Sequence, residues 1–107
     1  MAAGLGPISL GTDTGGSVRY PASLCGIVAL KPTNGLVSIR GVIPLCEQFD
    51  VVGPMARSVA DVAATLEVIA GHDPADPWSH SGGQGNYPRA LGSDVHGLRV
   101  GIPTNAF

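Results

Sequence analysis

The chain has 107 residues, enough for one domain with a modest hydrophobic core. Its formal net charge is −2, and its five arginines and single lysine form no basic run, which argues against a nucleic-acid-binding surface. No apolar run approaches the roughly 20 residues that cross a bilayer, and the N-terminus lacks the basic flank of a signal peptide.

The chain is unusually poor in charged residues. Only 13% of the residues are charged and 44% are apolar, which is typical of a segment from the interior of a larger protein. The two cysteines, Cys25 and Cys46, stand alone among apolar neighbours, so we expect two buried thiols in a protein of the reducing cytosol.

The first half of the chain predicts short elements joined by turns. Residues 7–11 read as a strand that stops at a glycine-rich loop. Residues 18–26 then predict a short helix, with Pro21 in its first turn and Gly26 just past its end. Residues 27–30 predict a buried strand, which the following proline ends.

The middle of the chain opens with Asn34-Gly35, a strong turn signal. After it we expect three further short strands, over residues 36–39, 41–45 and 49–52.

The clearest helix runs from Ser58 to just before Gly71. Ser58 is a good N-cap and Asp61 suits the positive end of the helix dipole, while Gly71 can adopt a left-handed stop. One face is apolar at helical spacing and predicts core packing: Val59, Val62, Ala63, Leu66, Ile69 and Ala70.

The last third of the chain predicts a surface loop or insertion over residues 72–93, anchored by Trp78 and Tyr87, and then a late strand within residues 94–107, at 97–103. The core motifs, described below, lie within residues 1–71. The order of strands and helices along the chain favours a single α/β domain.

The run GTDTGGS, residues 11–17, is the part of the sequence that suggests chemistry. Two glycines before a serine let consecutive N–H groups converge on one point, where they can stabilise an oxyanion while Ser17 attacks a carbonyl. An ordinary turn or an anion-binding loop remains open as an alternative. A phosphate-binding loop fits less well, because Ser17 stands where that motif requires lysine.

Two long segments resemble the amidase signature family. They are GTDTGGSVRYPASLCGIVALKPTNG, residues 11–35, and GVIPLCEQFDVVGPMARSVADVA, residues 41–63. The resemblance extends over about residues 2–71, and GLRVGIP, residues 97–103, is similar to the family's next strand. It implies part of the amidase signature fold, an α/β domain with a mixed sheet and flanking helices.

The resemblance also implies roles for the loop. Ser17 is the nucleophile of a Ser-Ser-Lys triad, and the oxyanion hole consists of the backbone N–H groups of Thr14, Gly15, Gly16 and Ser17. The implied reaction cleaves the C–N bond of a small carboxamide into a carboxylic acid and ammonia or an amine, without metal or organic cofactor. Asp13 and Arg19 flank the nucleophile, and we expect them to support the loop as an ion pair. Tyr20 and the loop over residues 46–49 are candidates for the lining of the substrate pocket.

The triad is incomplete in these 107 residues. The family's lysine and bridging serine belong to a segment upstream of the nucleophile loop, so we expect the chain to be inactive alone. It would then need the remainder of an amidase chain, or a second copy, as partner. Lys31 occupies a position that the family uses structurally, and His72, His80 and His96 lie outside the motif. A truncated, non-catalytic amidase-like domain is therefore an alternative.

Overall fold

A computed structural model of the chain describes residues 1–83, 85–102 and 104. Within these ranges a sheet of three strands, β1 (Ile8–Thr12), β2 (Val28–Ala29) and β3 (Val52–Ala56), has the order β1-β3-β2. The helices are α1 (Arg19–Cys25), α2 (Val59–Ile69) and α3 (Tyr87–Ala90). The predicted α/β class is confirmed. Both strand pairings are antiparallel, so the expected mixed character of the sheet is not seen in the described strands.

Strand β1 and helix α1 lie where the sequence predicts them. The loop between them is short: β1 ends at Thr12 and α1 begins at Arg19. Gly26 ends α1 with a left-handed φ of 65°, and its N–H donates to the carbonyls of Ala22 and Ser23. A side chain disfavours this conformation, which explains why glycine stops the helix.

Strand β3 is the centre of the sheet and differs from its prediction. It runs over Val52–Ala56 and shares only Val52 with the strand expected over residues 49–52. Gly53 and Pro54 lie inside it, and both are residues that usually weaken or end a strand. Pro54 still contributes its carbonyl, which accepts from the Leu30 N–H at 3.1 Å.

Helix α2 is confirmed together with its N-cap. The Ser58 hydroxyl accepts from the Asp61 N–H at 3.1 Å and donates to the Asp61 carboxylate at 2.7 Å. The helix ends at Ile69 without a left-handed residue, and the Gly71 N–H instead donates to the Leu36 carbonyl. Val62, Ala63 and Leu66 of the predicted apolar face are buried, whereas Val59 is 56% exposed.

The core lies between α2 and the segment after the Asn34-Gly35 turn. Leu36 and Val37 are buried there against Leu66. The strands predicted over residues 36–39 and 41–45 do not form, because side chains and turns satisfy their backbone groups. The Asp76 carboxylate accepts from the Ile39 N–H at 2.7 Å, for example.

The loop predicted over residues 72–93 is bonded near its start to the rest of the molecule. Asp73 and Asp76 bind Ser38, which fastens residues 73–76 to the core side of the molecule. The short helix α3 interrupts the loop predicted over residues 72–93, since the Asn86 side chain caps it. No strand forms over residues 94–102 or at 104, which find no pairing strand among the described residues. Pro103 and residues 105–107 of that prediction lie outside the described part.

The prediction about the two thiols does not agree with the structure. Cys25 is exposed and Cys46 half-buried, so the expectation of buried thiols is wrong, because nothing in the described chain covers that end of α1. Among the described residues, no helix is long and apolar enough to span a membrane.

The close approach of β3 to β2 generates a prediction about stability. A Cβ added at Gly53 would lie 2.4 Å from the Leu30 carbonyl oxygen, and backbone atoms cannot move aside easily. We expect Gly53→Ala to lower the free energy of unfolding by about 1–3 kcal/mol. Urea unfolding followed by circular dichroism measures this value.

Gly6→Ala is the matched control, since its new Cβ would meet nothing closer than 3.9 Å. We expect that variant to stay within about 1 kcal/mol of the parent. Equal stabilities for the two variants would show that the strands do not approach as described.

Candidate active site

The glycine-rich loop begins where β1 ends and is attached to the centre of the sheet. The Asp13 N–H donates to the Val51 carbonyl at 2.9 Å, and the Val51 N–H donates back to the Asp13 carbonyl at 3.3 Å. These two bonds continue the β1–β3 ladder by one residue pair beyond Thr12 and Val52. The first residue of the loop therefore has a fixed position on the sheet.

The buried Asp13 carboxylate, at the start of the loop, binds the residues at its end. It is fully buried, and its Oδ2 accepts from the backbone N–H groups of Val18 at 3.3 Å and Arg19 at 3.4 Å. The Arg19 guanidinium binds both oxygens, with Nε 3.0 Å from Oδ2 and Nη2 3.1 Å from Oδ1. The two ends of the loop are thus joined through one side chain, and the expected ion pair is present.

Lys31 also binds Asp13, through the backbone carbonyl of that residue. Its Nζ donates to the Asp13 carbonyl at 2.6 Å and to the Phe49 carbonyl at 2.9 Å, and it lies 3.9 Å from Asp13 Oδ1. An ammonium group with these partners crosslinks two loops. The structural role predicted for Lys31 fits this geometry better than that of a replacement base.

The contacts around Asp13 shift its acidity strongly. Hydrogen bonds from the Arg19 guanidinium, with help from the N–H groups of Val18 and Arg19, lower the pKa of Asp13 from 3.8 to about 2, although burial opposes the shift. The same pairing raises the pKa of Arg19. Both groups are therefore charged at neutral pH, and the carboxylate remains a strong acceptor.

The apex of the loop, residues 14–17, leaves its candidate reactive groups without hydrogen-bond partners in the described part of the chain. Ser17 is exposed, and in the described part of the chain its hydroxyl has no hydrogen-bond partner. The backbone N–H groups of Thr14, Gly15, Gly16 and Ser17 likewise donate to no acceptor among the described residues. Four free donors next to one free hydroxyl form an arrangement that can accept an oxyanion.

Position 16 of the loop accommodates only glycine. Its φ is +141°, and a Cβ at this position would lie 2.2 Å from the ring of Tyr20. The Tyr20 N–H also donates to the Gly16 carbonyl at 2.8 Å. The ring therefore covers one side of the apex and leaves the Ser17 side open.

The histidines take no part in this loop among the described residues. His80 Nε2 lies 2.7 Å from the Asn34 carbonyl, and its Nδ1 accepts from the Gly82 N–H at 3.3 Å, which places the ring proton on Nε2. His72 and His96 are exposed. In the ranges described, no group of three or more histidine, cysteine or acidic side chains is placed to hold a metal ion.

Sequence reasoning missed one residue that contacts the loop. Asp50 is 3% exposed and accepts a hydrogen bond from the Thr14 hydroxyl. The sequence offers one indication of this role, because Asp50 stands between the apolar residues Phe49 and Val51. A carboxylate that is buried with such neighbours needs hydrogen-bond partners.

Comparison with known proteins gives one family for the whole chain. The Amidase family model matches residues 1–107. A glutamyl-tRNA(Gln) amidotransferase subunit from Chloroflexus aurantiacus is 54% identical over 107 residues, which are 100% of this chain and 22% of that protein. The chain thus spans about a fifth of the length of the curated relatives that it matches.

Solved structures show the same fold. A chain of a vestigial protein complex, linked to the origins of an s-triazine catabolic enzyme, superposes with a TM-score of 0.88 and 43% identity, covering 92% of this chain and 22% of that chain. A peptide amidase bound to the competitive inhibitor chymostatin superposes with a TM-score of 0.78 and 47% identity, covering 84% and 19%.

The acidity of Asp13 predicts how stability depends on pH. Because its folded pKa lies below the ordinary value, the carboxylate contributes stability above about pH 4 and loses it as the pH falls through about 2. We expect the difference in unfolding free energy between the parent and Asp13→Asn to shrink by about 2 kcal/mol over that window.

Urea unfolding of the chain at several pH values measures this difference. Asp94→Asn removes an exposed carboxylate and is the control, with an effect at neutral pH below about 0.5 kcal/mol. A difference between the parent and Asp13→Asn that stayed constant from pH 7 to 2 would contradict the assigned contacts.

Proposed function

Because the chain belongs to the amidase family, as its motif predicted, we propose that it carries the nucleophile loop of an amide-cleaving enzyme, with Ser17 as the nucleophile. The observation that carries this proposal is the apex of the loop. There an exposed serine hydroxyl lies beside four backbone N–H groups that donate to no acceptor in the described ranges. Roughly half or more of ordinary turns close on themselves with a hydrogen bond from such a donor.

The proposed reaction is acyl transfer. Ser17 Oγ loses its proton to a base and bonds to the amide carbon, which gives a tetrahedral intermediate whose negatively charged oxygen is stabilised by the N–H groups of residues 14–17; the ester forms when this intermediate collapses. The C–N bond then breaks, and the nitrogen takes a proton and leaves as ammonia or an amine. Water cleaves the ester, which releases the carboxylic acid and restores Ser17.

Asp13 and Arg19 support this chemistry without taking part in it. Their ion pair joins the two ends of the loop, which fixes the position of the Ser17 hydroxyl relative to the backbone N–H donors. Such positioning matters because a displacement of about 1 Å at a reacting atom can lower the rate about 100-fold.

The base has to come from outside the described loop. Lys31 is bound to two carbonyls, and no histidine bonds to Ser17 in the described part of the chain. The resemblance assigns the base to a lysine acting through a bridging serine, and we propose that residues beyond these 107 supply both. By this proposal the chain alone is inactive, since a serine without a base is a weak nucleophile.

The substrate class we propose is a carboxamide. A relative named peptide amidase supports hydrolysis, and relatives named as amidotransferase subunits support transfer of the amide nitrogen. Both reactions begin with an acyl group on the serine, so acylation of Ser17 is the step that the proposal asserts. It requires no metal or organic cofactor.

The partner that we propose is the rest of an amidase fold or a second copy of the chain. Strands β1 and β2 are the two edges of the described sheet, and Ile8 and Leu10 of β1 are about half exposed. An apolar edge of this kind is normally covered. We also propose a cytosolic location, on the ground that Cys25 and Cys46 are free thiols.

A chimera tests the assignment of Ser17. Residues of this chain replace the matching segment of the peptide amidase, whose remaining segments supply the rest of the site. We expect a serine-directed phosphonate probe to label the chimera, and Ser17→Ala to abolish the label and lower kcat by at least about 1000-fold. Peptide mapping by mass spectrometry locates the label.

Ser23→Ala is the matched control, because Ser23 is exposed on α1 and its hydroxyl makes no hydrogen bond in the described ranges. It keeps both label and activity. A label that persists in Ser17→Ala would exclude Ser17 as the nucleophile, and a folded chimera without label would favour the non-catalytic alternative.

A further inference from the structure

Asp50 is a buried carboxylate whose two oxygens serve different parts of the molecule. Oδ1 accepts from the Thr14 hydroxyl, and Oδ2 accepts from the backbone N–H groups of Leu45 and Cys46, each at 2.9 Å. One side chain therefore joins the apex of the nucleophile loop to the turn at residues 45–46.

Asp50 itself is held firmly in place. The Asn34 amide donates to the Asp50 carbonyl at 3.5 Å and to the Gln48 carbonyl at 2.9 Å. The next residue, Val51, makes the two backbone bonds that continue the ladder to Asp13. The carboxylate thus sits on a segment that is bonded on both sides, and a supported side chain of this kind can position another group.

The charge of Asp50 strengthens its bond to the loop. The Thr14 hydroxyl, the N–H groups of Cys46 and Leu45, and the positive charge of Lys31 together lower its pKa, against the effect of burial. An ionised acceptor forms a stronger hydrogen bond to a hydroxyl than a neutral one does.

Thr14 is the only residue of the apex that the structure ties down by its side chain among the described contacts. Asp13 fixes the ends of the loop, but Gly15 and Gly16 have no side chains to fix the part between them. Thr14 bonds to Asp50 one residue before these glycines, so this bond limits how far the apex can rotate.

We propose that Asp50 is a positioning residue of the active site, which acts through the Thr14 hydroxyl to hold the N–H groups of residues 14–16 toward the developing oxyanion. This inference rests on the proposed function. Its competitor is a purely structural role, in which Asp50 serves only to hold the turn at Leu45 and Cys46. The two roles differ at Thr14, since a structural Asp50 has no need of that hydroxyl for catalysis.

The test removes the hydroxyl and leaves Asp50 in place. In the chimera with the peptide amidase, we expect Thr14→Val to lower kcat about 10- to 100-fold and to change KM less than about threefold, because misplaced oxyanion donors weaken the transition state and not the binding of substrate. Thr14→Ser restores the hydroxyl, and we expect it to recover most of the lost kcat. Steady-state kinetics on an amide substrate of the parent enzyme supplies both constants.

Two further variants separate the explanations. Thr33→Val is the matched control, since Thr33 is exposed and its hydroxyl makes no hydrogen bond in the described ranges, and it leaves kcat unchanged. Asp50→Asn lowers kcat as well, and we expect Thr14→Val to add less than about threefold on that background, because both changes break one interaction.

Three results would overturn the proposal. Unchanged kcat in Thr14→Val, with Ser17 still labelled, would refute the positioning role and leave the proposed function standing. An equal loss in Thr14→Ser and Thr14→Val would show that the hydroxyl is not the cause. Absence of the label at Ser17 in the parent chimera would remove the proposed function and this inference together.

Discussion

The contacts of one buried carboxylate, that of Asp13, determine the shape of the glycine-rich loop at residues 11–17. Its backbone lies on the sheet through Val51, and its side chain binds the start of helix α1 and the Arg19 guanidinium. A loop with adjacent glycines has a high conformational entropy, so a single arrangement needs strong constraints at its ends. Asp13 supplies them from a buried position, where charged hydrogen bonds are strongest.

Buried carboxylates take the place of regular secondary structure in much of this chain. Only 13% of the residues are charged, yet Asp13, Asp50 and Asp76 are buried, and all three accept backbone N–H groups. Asp50 and Asp76 join segments that are distant in sequence, whereas Asp13 joins the two ends of one loop. In a fold with one small sheet, such side chains satisfy donors that strands and helices would otherwise satisfy.

This use of side chains explains which parts of the fold the sequence predicts. Strand β1, helix α1 and helix α2 follow from local signals such as the Ser58 cap, Gly26 and the apolar spacing, and the motif locates the glycine-rich loop between β1 and α1. The segment over residues 36–45 looks like strands because it is apolar. Its N–H groups instead bind the Asp76 carboxylate, 37 residues beyond Ile39, and the Asp50 carboxylate, which folds back onto Leu45 five residues before it. The central position of β3 could not be predicted from the sequence either. Gly53 and Pro54 disfavour a strand locally, and the strand forms because β3 pairs with β1 on one side and β2 on the other.

We propose that residues 14–17 present a nucleophile and an oxyanion hole at one point. The decisive experiment is a crystal structure of the chimera carrying a phosphonate adduct. We expect a covalent bond to Ser17 Oγ, with the phosphoryl oxygen about 2.7–3.1 Å from backbone nitrogens of the loop. An adduct on another residue, or an oxygen directed away from these nitrogens, would refute this arrangement.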